Sequence, residues 1–441
     1  MATLPRVHVL RFTQKQASVA AARHEMLYAG RVGGARANFA FCNLGGLDLS
    51  GRNLADADFT GAILEETNLG GAHLDSANFF GADLRRANLA GASLRRADLR
   101  GACLRGANLT GADLYEADLR EGTIAEKDSQ GDLRLLCHDV GPAEMADAVF
   151  NSANLERAKM TGAIAIQADF TDAMMKGCRL TRANLRRARF AGANLENADL
   201  SSCDLSGASM EGAILIGAQL TQTRFDGVDL STVLTEAPAG RELSRLHAPI
   251  DELLEAHSRW VETGGREGQP VDLSGVDLRK LRSLAHRALT ALVAPGAIFY
   301  GLDLQGASLQ GSDLSRADLR GTKLQDADLR GANLTGARLN SADLRDAKLG
   351  PLLIADAHLL PARLDGAHAR YADFRGADLS RVKLSACDLA YANLSGANLR
   401  GVDLGTAFLT GTKLPAREHE SETMASGEDF APAAPRSMAS E

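Results

Sequence analysis

The chain has 441 residues, a net charge of −7, 45% apolar residues, only 5% aromatic residues and 44 glycines. That diet excludes one large aromatic-rich interior and suits many small, similar pockets in one or two domains; no run reaches the roughly 18 apolar residues of a membrane span. Residues 37–125, 148–232 and 271–414 carry −4, 0 and +3, while the shorter stretches 126–147 and 415–441 carry −4 each, so the body lacks the charge bias of a polyanion mimic or a nucleic-acid binder.

Residues 1–36 begin without a hydrophobic signal region, which makes the cytoplasm the default compartment. Thr13 to Tyr28 is helix-compatible, and His24-x-x-Leu27 is followed by Gly30, Gly33 and Gly34. From Phe39 a five-residue period takes over, seen undiluted in GADLRRANLAGASLRRADLRGACLRGANLTGADL from Gly81 to Leu114. With the Leu or Phe position called i, i−2 is small, i−1 is Asp or Asn, and i+1 and i+2 are polar or Gly. Three runs hold this register: Phe39 to Ile124 with 18 units, Phe150 to Leu230 with 17, and Phe299 to Leu414 with 24. Position i is Leu, Phe, Met or Ile in 57 of these 59 units, Ala165 and Ala369 being the exceptions.

A period of five matches neither a helix nor a strand, so i and i−2 must point inward from short extended segments separated by turns. Four such five-residue sides close a square coil, and a position should then return to the same wall after twenty residues. Phe39, Phe59 and Phe79, and again Phe150, Phe170 and Phe190, recur at that interval, as side chains stacked directly above one another would.

The A(D/N)LXX motif resembles that of the pentapeptide-repeat protein family and covers about two-thirds of the chain. The resemblance implies an all-β solenoid, a right-handed quadrilateral β-helix. Its coils should lie about 4.8 Å apart, with only the ends of each stack needing cover.

The breaks in the pattern suggest the organisation. Residues 1–36 read as an N-terminal helical cap on a first β-helix at 37–125, which continues at 148–232. Between them, 126–147 reads as an ejected loop, since 150 follows 124 by twenty-six positions and the register slips by one. Residues 233–270 form a linker and second cap, where Leu243 to Thr263 places Ile250, Leu253, Leu254, His257 and Val261 at helical spacing. His257-x-x-Trp260 followed by Gly264, Gly265 and Gly268 repeats the pattern around His24. Two caps imply two stacks, the second spanning 271–414. Inside it, 279–297 is irregular, with Arg282 and Arg287 at inward sites; it reads as a helical insertion or a pair of deformed coils, and LRSLAHRALTALV leans towards the helix. Residues 415–441, rich in Pro, Ser, Ala and Glu, have the composition of a disordered tail.

No catalytic, cofactor-binding or metal-ligating residue is expected. His358 and His368 lie two sides apart and should face opposite ways, and Cys137-His138 stands alone. The six cysteines show no CxxC spacing, and four of them replace the small residue at i−2, as buried thiols would. No G-x-S-x-G occurs. His24 and His257 suit hydrogen bonds to a coil end, and Trp260 a plug. Asp303, Lys323, Asp343, Arg363, Lys383 and Asp403, one circuit apart each, read as a charge ladder on one face. Arg85 with Arg105, and Arg100 with Arg120, would stack as like charges, inviting an anion but equally fitting a mixed solvated surface.

A rigid surface without convergent reactive groups points to a non-catalytic scaffold or interaction module with a protein partner. Quinolone-resistance members of the family resemble duplex DNA and bind type II topoisomerase, which makes gyrase modulation the alternative; a sensor or effector-associated module is the third reading. The last coil, near Leu409 to Leu414, lacks a following cap, so pairing with a second copy or cover by the tail is expected there.

Overall fold

Each five-residue unit resolves into an extended segment, i−2 to i, and a turn. The Phe59 N–H donates to the Asn78 carbonyl (2.7 Å), the Asn78 N–H returns to Ala57 (2.9 Å), and the Ala62 N–H closes the turn onto Phe59 (2.9 Å). The i+2 residue takes a positive φ, as Gly61 (59°) and Asp56 (56°) do, which is the third-residue signature of a type II turn and the reason glycine recurs there. Repeated four times, this builds a right-handed quadrilateral β-helix whose sides pair in parallel with the side one full circuit on, as in the series Asn38, Asp58, Asn78, Asp98 and Asp118.

The computed structural model describes residues 10–122, 125–127, 133–135, 143–281, 283–354 and 358–415; Ile124, Cys137-His138, Arg282 and residues 416–441 lie outside them. It separates into two units, Met1–Arg245 and Leu246–Glu441.

In the first unit β1 (Leu10–Arg11) pairs in parallel with β2 (Cys42–Asn43) in the first coil. Helix α1 (Gln14–Tyr28) follows, started by a capping box between Thr13 and Gln16. It buries Ala17, Ala21 and His24 over the open coil, with Phe12 set edge-on to Phe39 at 5.5 Å. Below the cap the phenylalanines form columns: Phe39–Phe59 at 5.1 Å, Phe59–Phe79 at 4.7 Å, Phe150–Phe170 and Phe170–Phe190 at 5.0 Å. These separations match the strand spacing of about 4.8 Å. Asn108 bridges Val149 while Asp118 bridges Lys159, so the two columns occupy opposite walls of one stack.

The stack resumes earlier than the phase of Phe150 suggests. Cys103 bridges Glu144, a step of forty-one positions where a plain circuit takes twenty, and Glu144 in turn bridges Ile164. The coil therefore restarts at Ala143, within the stretch expected to be looped out. Of that stretch, β3 (Ala125–Lys127) and β4 (Leu133–Leu135) are described and pair antiparallel.

In the second unit a 3-10 turn at Leu243–Arg245 precedes α2 (Ile250–Glu262). The helix is shorter than its apolar spacing suggests because Pro249 stands at its N-cap. Residues 279–297 contain no helix among the described positions, correcting the favoured expectation. Asp272 bridges Val293 and Asp277 bridges Ile298, each pair one position more than a circuit apart, so the coil carries one extra residue between Leu278 and Leu284. Leu289 and Leu292 are both buried, at i and at the i−2 site before Ala294; filling both inward sites with leucine gives a spacing of three that mimics a helix.

A second correction concerns Ile354 and Leu359, which the uninterrupted register placed inward. They lie on a hairpin of β5 (Leu352–Ile354) and β6 (His358–Leu360) and are exposed at 42% and 39%. Asn333 bridges Arg363, a step of thirty positions, so ten leave the coil. Ten is a multiple of five, which hides the insertion from any phase argument. The physical cause is Pro351: the turn after Leu349 needs a positive φ there, and proline is locked near −65°. Pro295, in contrast, occupies the turn's second position ahead of Gly296 (φ 63°), where proline fits.

Candidate interaction surface

Outward positions i−1, i+1 and i+2 cover the walls, and one triplet dominates their chemistry. Wherever Asp stands at i−1 and Arg at i+1, the guanidinium closes on the carboxylate from the same side of the strand. Asp98 accepts from Arg100 Nε (2.9 Å) and Nη2 (2.7 Å), and its Oδ1 also takes the Arg100 backbone N–H (3.1 Å). The same clamp forms at Asp83–Arg85, Asp118–Arg120, Asp328–Arg330, Asp343–Arg345 and Asp373–Arg375, with Asp277–Arg279 and Asp318–Arg320 the most buried. Burial pushes the Asp118 carboxyl up, but the Arg120 hydrogen bond, the Arg120 N–H and its charge outweigh that and hold it below its usual value.

The like-charged pairs therefore resolve. Arg85, Arg100 and Arg120 each hold the aspartate two residues earlier, and Arg105 pairs with Glu144. Repulsion from Arg100 still reaches Arg120, yet none of the four is left to call for an anion. The expected six-member ladder is corrected too. Asp303, Lys323 and Asp343 bridge in sequence, but the hairpin places Asp373 next, while Arg363 bridges Asn333 and Lys383 on another side. Arg345, clamped on Asp343, reaches to 4.0 Å of Asp373 and offsets that stacked pair.

The caps show a common device. Ala37 N–H donates to His24 Nδ1 (2.9 Å), leaving Nε2 to donate to the Ala55 carbonyl (2.8 Å). Val271 N–H donates to His257 Nδ1 (3.2 Å); His257 Nε2 is buried facing the Thr290 backbone without closing a hydrogen bond. Both rings are held below the usual histidine value, chiefly by burial. Trp260 stacks on His257 at 5.7 Å and is half-buried.

Among the described residues no group of three His, Cys, Asp or Glu could hold a metal. His358 sits on β6 opposite Ile354, and His368 bridges Arg338 and Asp388. Cys42, Cys178, Cys203 and Cys387 are buried and unpaired; burial pushes the Cys203 and Cys387 thiols to about 12, which disfavours thiolate chemistry.

Spacing alone does not single out one further group. At Asn184-Leu185-Arg186 the amide takes only the Arg186 backbone N–H (3.4 Å), and Asn398 accepts the Arg400 backbone N–H (3.1 Å) while donating to Asp378 (2.9 Å). An asparagine at i−1 removes the local clamp; Arg95 and Arg105, behind Ser93 and Cys103, find Asp113 and Glu144 on the adjoining coil instead, whereas among the described residues Arg186 forms no ion pair.

The family model for pentapeptide repeats (8 copies) matches residues 35–71, 53–91, 72–111, 92–122, 166–201, 193–231, 312–350, 355–385 and 377–414, more than half the chain. No curated protein matches. Among solved structures, HetL, a pentapeptide repeat protein involved in heterocyst differentiation regulation from the cyanobacterium Nostoc sp. strain PCC 7120, is 24% identical over 89% of this chain and 94% of its own, with a TM-score of 0.12. QnrB1, a plasmid-mediated fluoroquinolone resistance protein, is 17% identical over 60% of this chain and 87% of its own, with a TM-score of 0.20. A pentapeptide repeat protein of the Arabidopsis thaliana thylakoid lumen is 30% identical over 30% of this chain and 68% of its own, with a TM-score of 0.13. Such TM-scores carry no argument about this chain. With the family model spread over both units and a one-circuit ladder beneath it, the chain belongs to the pentapeptide repeat proteins.

Proposed function

We propose that the protein is a non-catalytic scaffold or protein-interaction module that engages a macromolecular partner through its walls. One observation carries this reading: outward side chains are held at fixed spacing by the ladder and the clamps, whereas among the described residues no His, Cys, Asp and Glu cluster gathers to hold a metal. A pre-organised wall loses little entropy on binding. The test is capture from a lysate of the source organism with the full chain as bait, followed by mass spectrometry and reconstitution with the purified candidate. A stoichiometric partner whose binding changes with wall substitutions supports the reading; turnover by the purified chain in the absence of any partner overturns it.

Modulation of a type II topoisomerase such as gyrase is the second reading. It needs an acidic wall able to stand in for duplex DNA, and the clamps at Asp83, Asp98 and Asp118 neutralise much of the acid in the first unit. A gyrase supercoiling assay separates the two, since inhibition at stoichiometric protein would reverse the preference. Self-association belongs to the same proposal: Leu414 is exposed and Leu404 and Leu409 are half-buried on the last coil, a surface suited to a second copy.

A further inference from the structure

Neutralisation of the walls fails at one level of the first unit. The coil at residues 174–193 holds six basic residues, Lys176, Arg179, Arg182, Arg186, Arg187 and Arg189, and no acidic one; the next coil, 194–213, holds Glu196, Asp199, Asp204 and Glu211 and no basic one. Ladder pairs Arg179–Asp199 and Asn184–Asp204 put these coils side by side. Lys176 reaches Glu196 (3.1 Å) and Arg189 reaches Asp169 (3.0 Å). Hydrogen bonds from Ser206 and the charge of Arg224 hold the Asp204 carboxyl below its usual value, with Arg186 adding the smallest share; Arg186 does not pair with it. Among the described residues the Arg182, Arg186 and Arg187 side chains, all exposed, form no ion pair. Arg182 and Arg187 take the positive-φ corners at the two ends of one side (61° and 58°), with Arg186 beside Arg187.

We propose that this side of the coil binds an extended acidic protein segment lying along it. The proposal rests on the interaction-module reading and names the partner's chemistry. Guanidinium groups pair carboxylates through two parallel hydrogen bonds, and an extended chain rising about 3.3 Å per residue presents alternate side chains on one face. Width excludes a duplex nucleic acid as the better occupant. The wall changes from basic to acidic within one strand spacing of about 4.8 Å, whereas duplex grooves alone are about 6 and 12 Å wide, so a duplex meets both coils. A single strand of peptide meets only the basic one.

The test uses the full chain and a fluorescein-labelled ten-residue peptide of alternating Glu and Ser, followed by anisotropy at low and physiological salt. The variant R182G/R186S/R187G removes the free arginines without disturbing the turns: Gly162, Gly177, Gly192 and Gly207 already occupy such corners, and Ser206 follows Arg186 at the same place one coil on. With an unchanged thermal melt, the variant should bind the peptide more weakly by on the order of tenfold, as three exposed pairs lost together imply. Conversely, D199N/D204N, which keeps the bonds to the Ser201 and Ser206 N–H groups, should bind it more tightly. Equal peptide affinity in wild type and arginine variant overturns the proposal, as does tighter binding of a 20-base-pair duplex through the same arginines. A captured native partner indifferent to the arginine variant also overturns it and leaves the interaction-module reading standing.

Discussion

Phe79 and Phe80 are adjacent in sequence, and the coil assigns them opposite weights. Phe79 is fully buried and stacks on Phe59 at 4.7 Å, its planes 2° from parallel. Replacing it with alanine removes a buried ring, at about 3–5 kcal/mol, and one aromatic stack, at about 0.5–1.5 kcal/mol. A total near 5 kcal/mol is comparable with the whole stability of many domains, about 5–15 kcal/mol. Because coils contact mainly their neighbours, the loss should concentrate in the coils nearest residue 79. Phe80 lies half-buried on the wall with Arg100 5.1 Å over its ring, so F80A forfeits a cation–π contact of about 0.5–1 kcal/mol. Its backbone bond to Asn78 survives, since the Phe80 N–H makes it. Urea titration of both variants, with hydrogen exchange resolved by coil, measures the difference. Equal losses, or a Phe79 variant as stable as wild type, would refute the stacking argument.

The clamp predicts a graded pair: D98N keeps the bond to the Arg100 N–H and should cost under about 1 kcal/mol, because both partners are substantially exposed, while D98A also loses that bond and should melt lower still. Burial holds His24 neutral in the folded chain, with the Ala55 bond, Asp56 and Glu25 opposing the shift and Arg36 adding to it. The unfolded chain takes up the proton first, so stability is full above about pH 6.5 and falls as the pH drops towards the lowered folded value; pH-resolved melts of wild type and H24N should diverge in slope once the pH falls below about 6.5, and parallel slopes would refute a buried, neutral cap histidine. Replacing residues 351–361 with one glycine restores a single-circuit step between Asn333 and Arg363 and supplies the positive-φ corner; the variant should melt cooperatively within a few degrees of wild type, and an unfolded product would contradict the hairpin's status as an insertion.

Much of this fold could be read before any coordinate. The five-residue period and the recurrence of Phe39, Phe59 and Phe79 are direct consequences of a four-sided coil, and the cap at Thr13–Tyr28 carries ordinary helix signals. The hairpin escaped because ten residues preserve the phase that betrays other insertions, although Pro351 at a corner needing positive φ was a local sign. The irregular 279–297 misled for a related reason: Leu289 and Leu292 fill both inward sites and imitate a helical step. On the walls, the one-circuit spacing suggested repulsion between arginines, while the decisive neighbour of Arg85, Arg100 and Arg120 is the aspartate two residues earlier in the same strand. Asn184 in place of that aspartate leaves Arg186 unclamped beside the corner residues Arg182 and Arg187.

Disulfide trapping on the second unit tests the coil most directly. Ladder neighbours lie within the roughly 4.4–6.8 Å Cα separation that a disulfide spans, so cysteines placed at Asn333 and Arg363, or at Asp343 and Asp373, should cross-link under mild oxidation although the hairpin lies between them in sequence. Cysteines at Asp343 and Arg363, nominally one circuit apart but on different sides, should not. Cross-linking of the 343–363 pair in preference to the 333–363 pair would contradict the stack described for this protein.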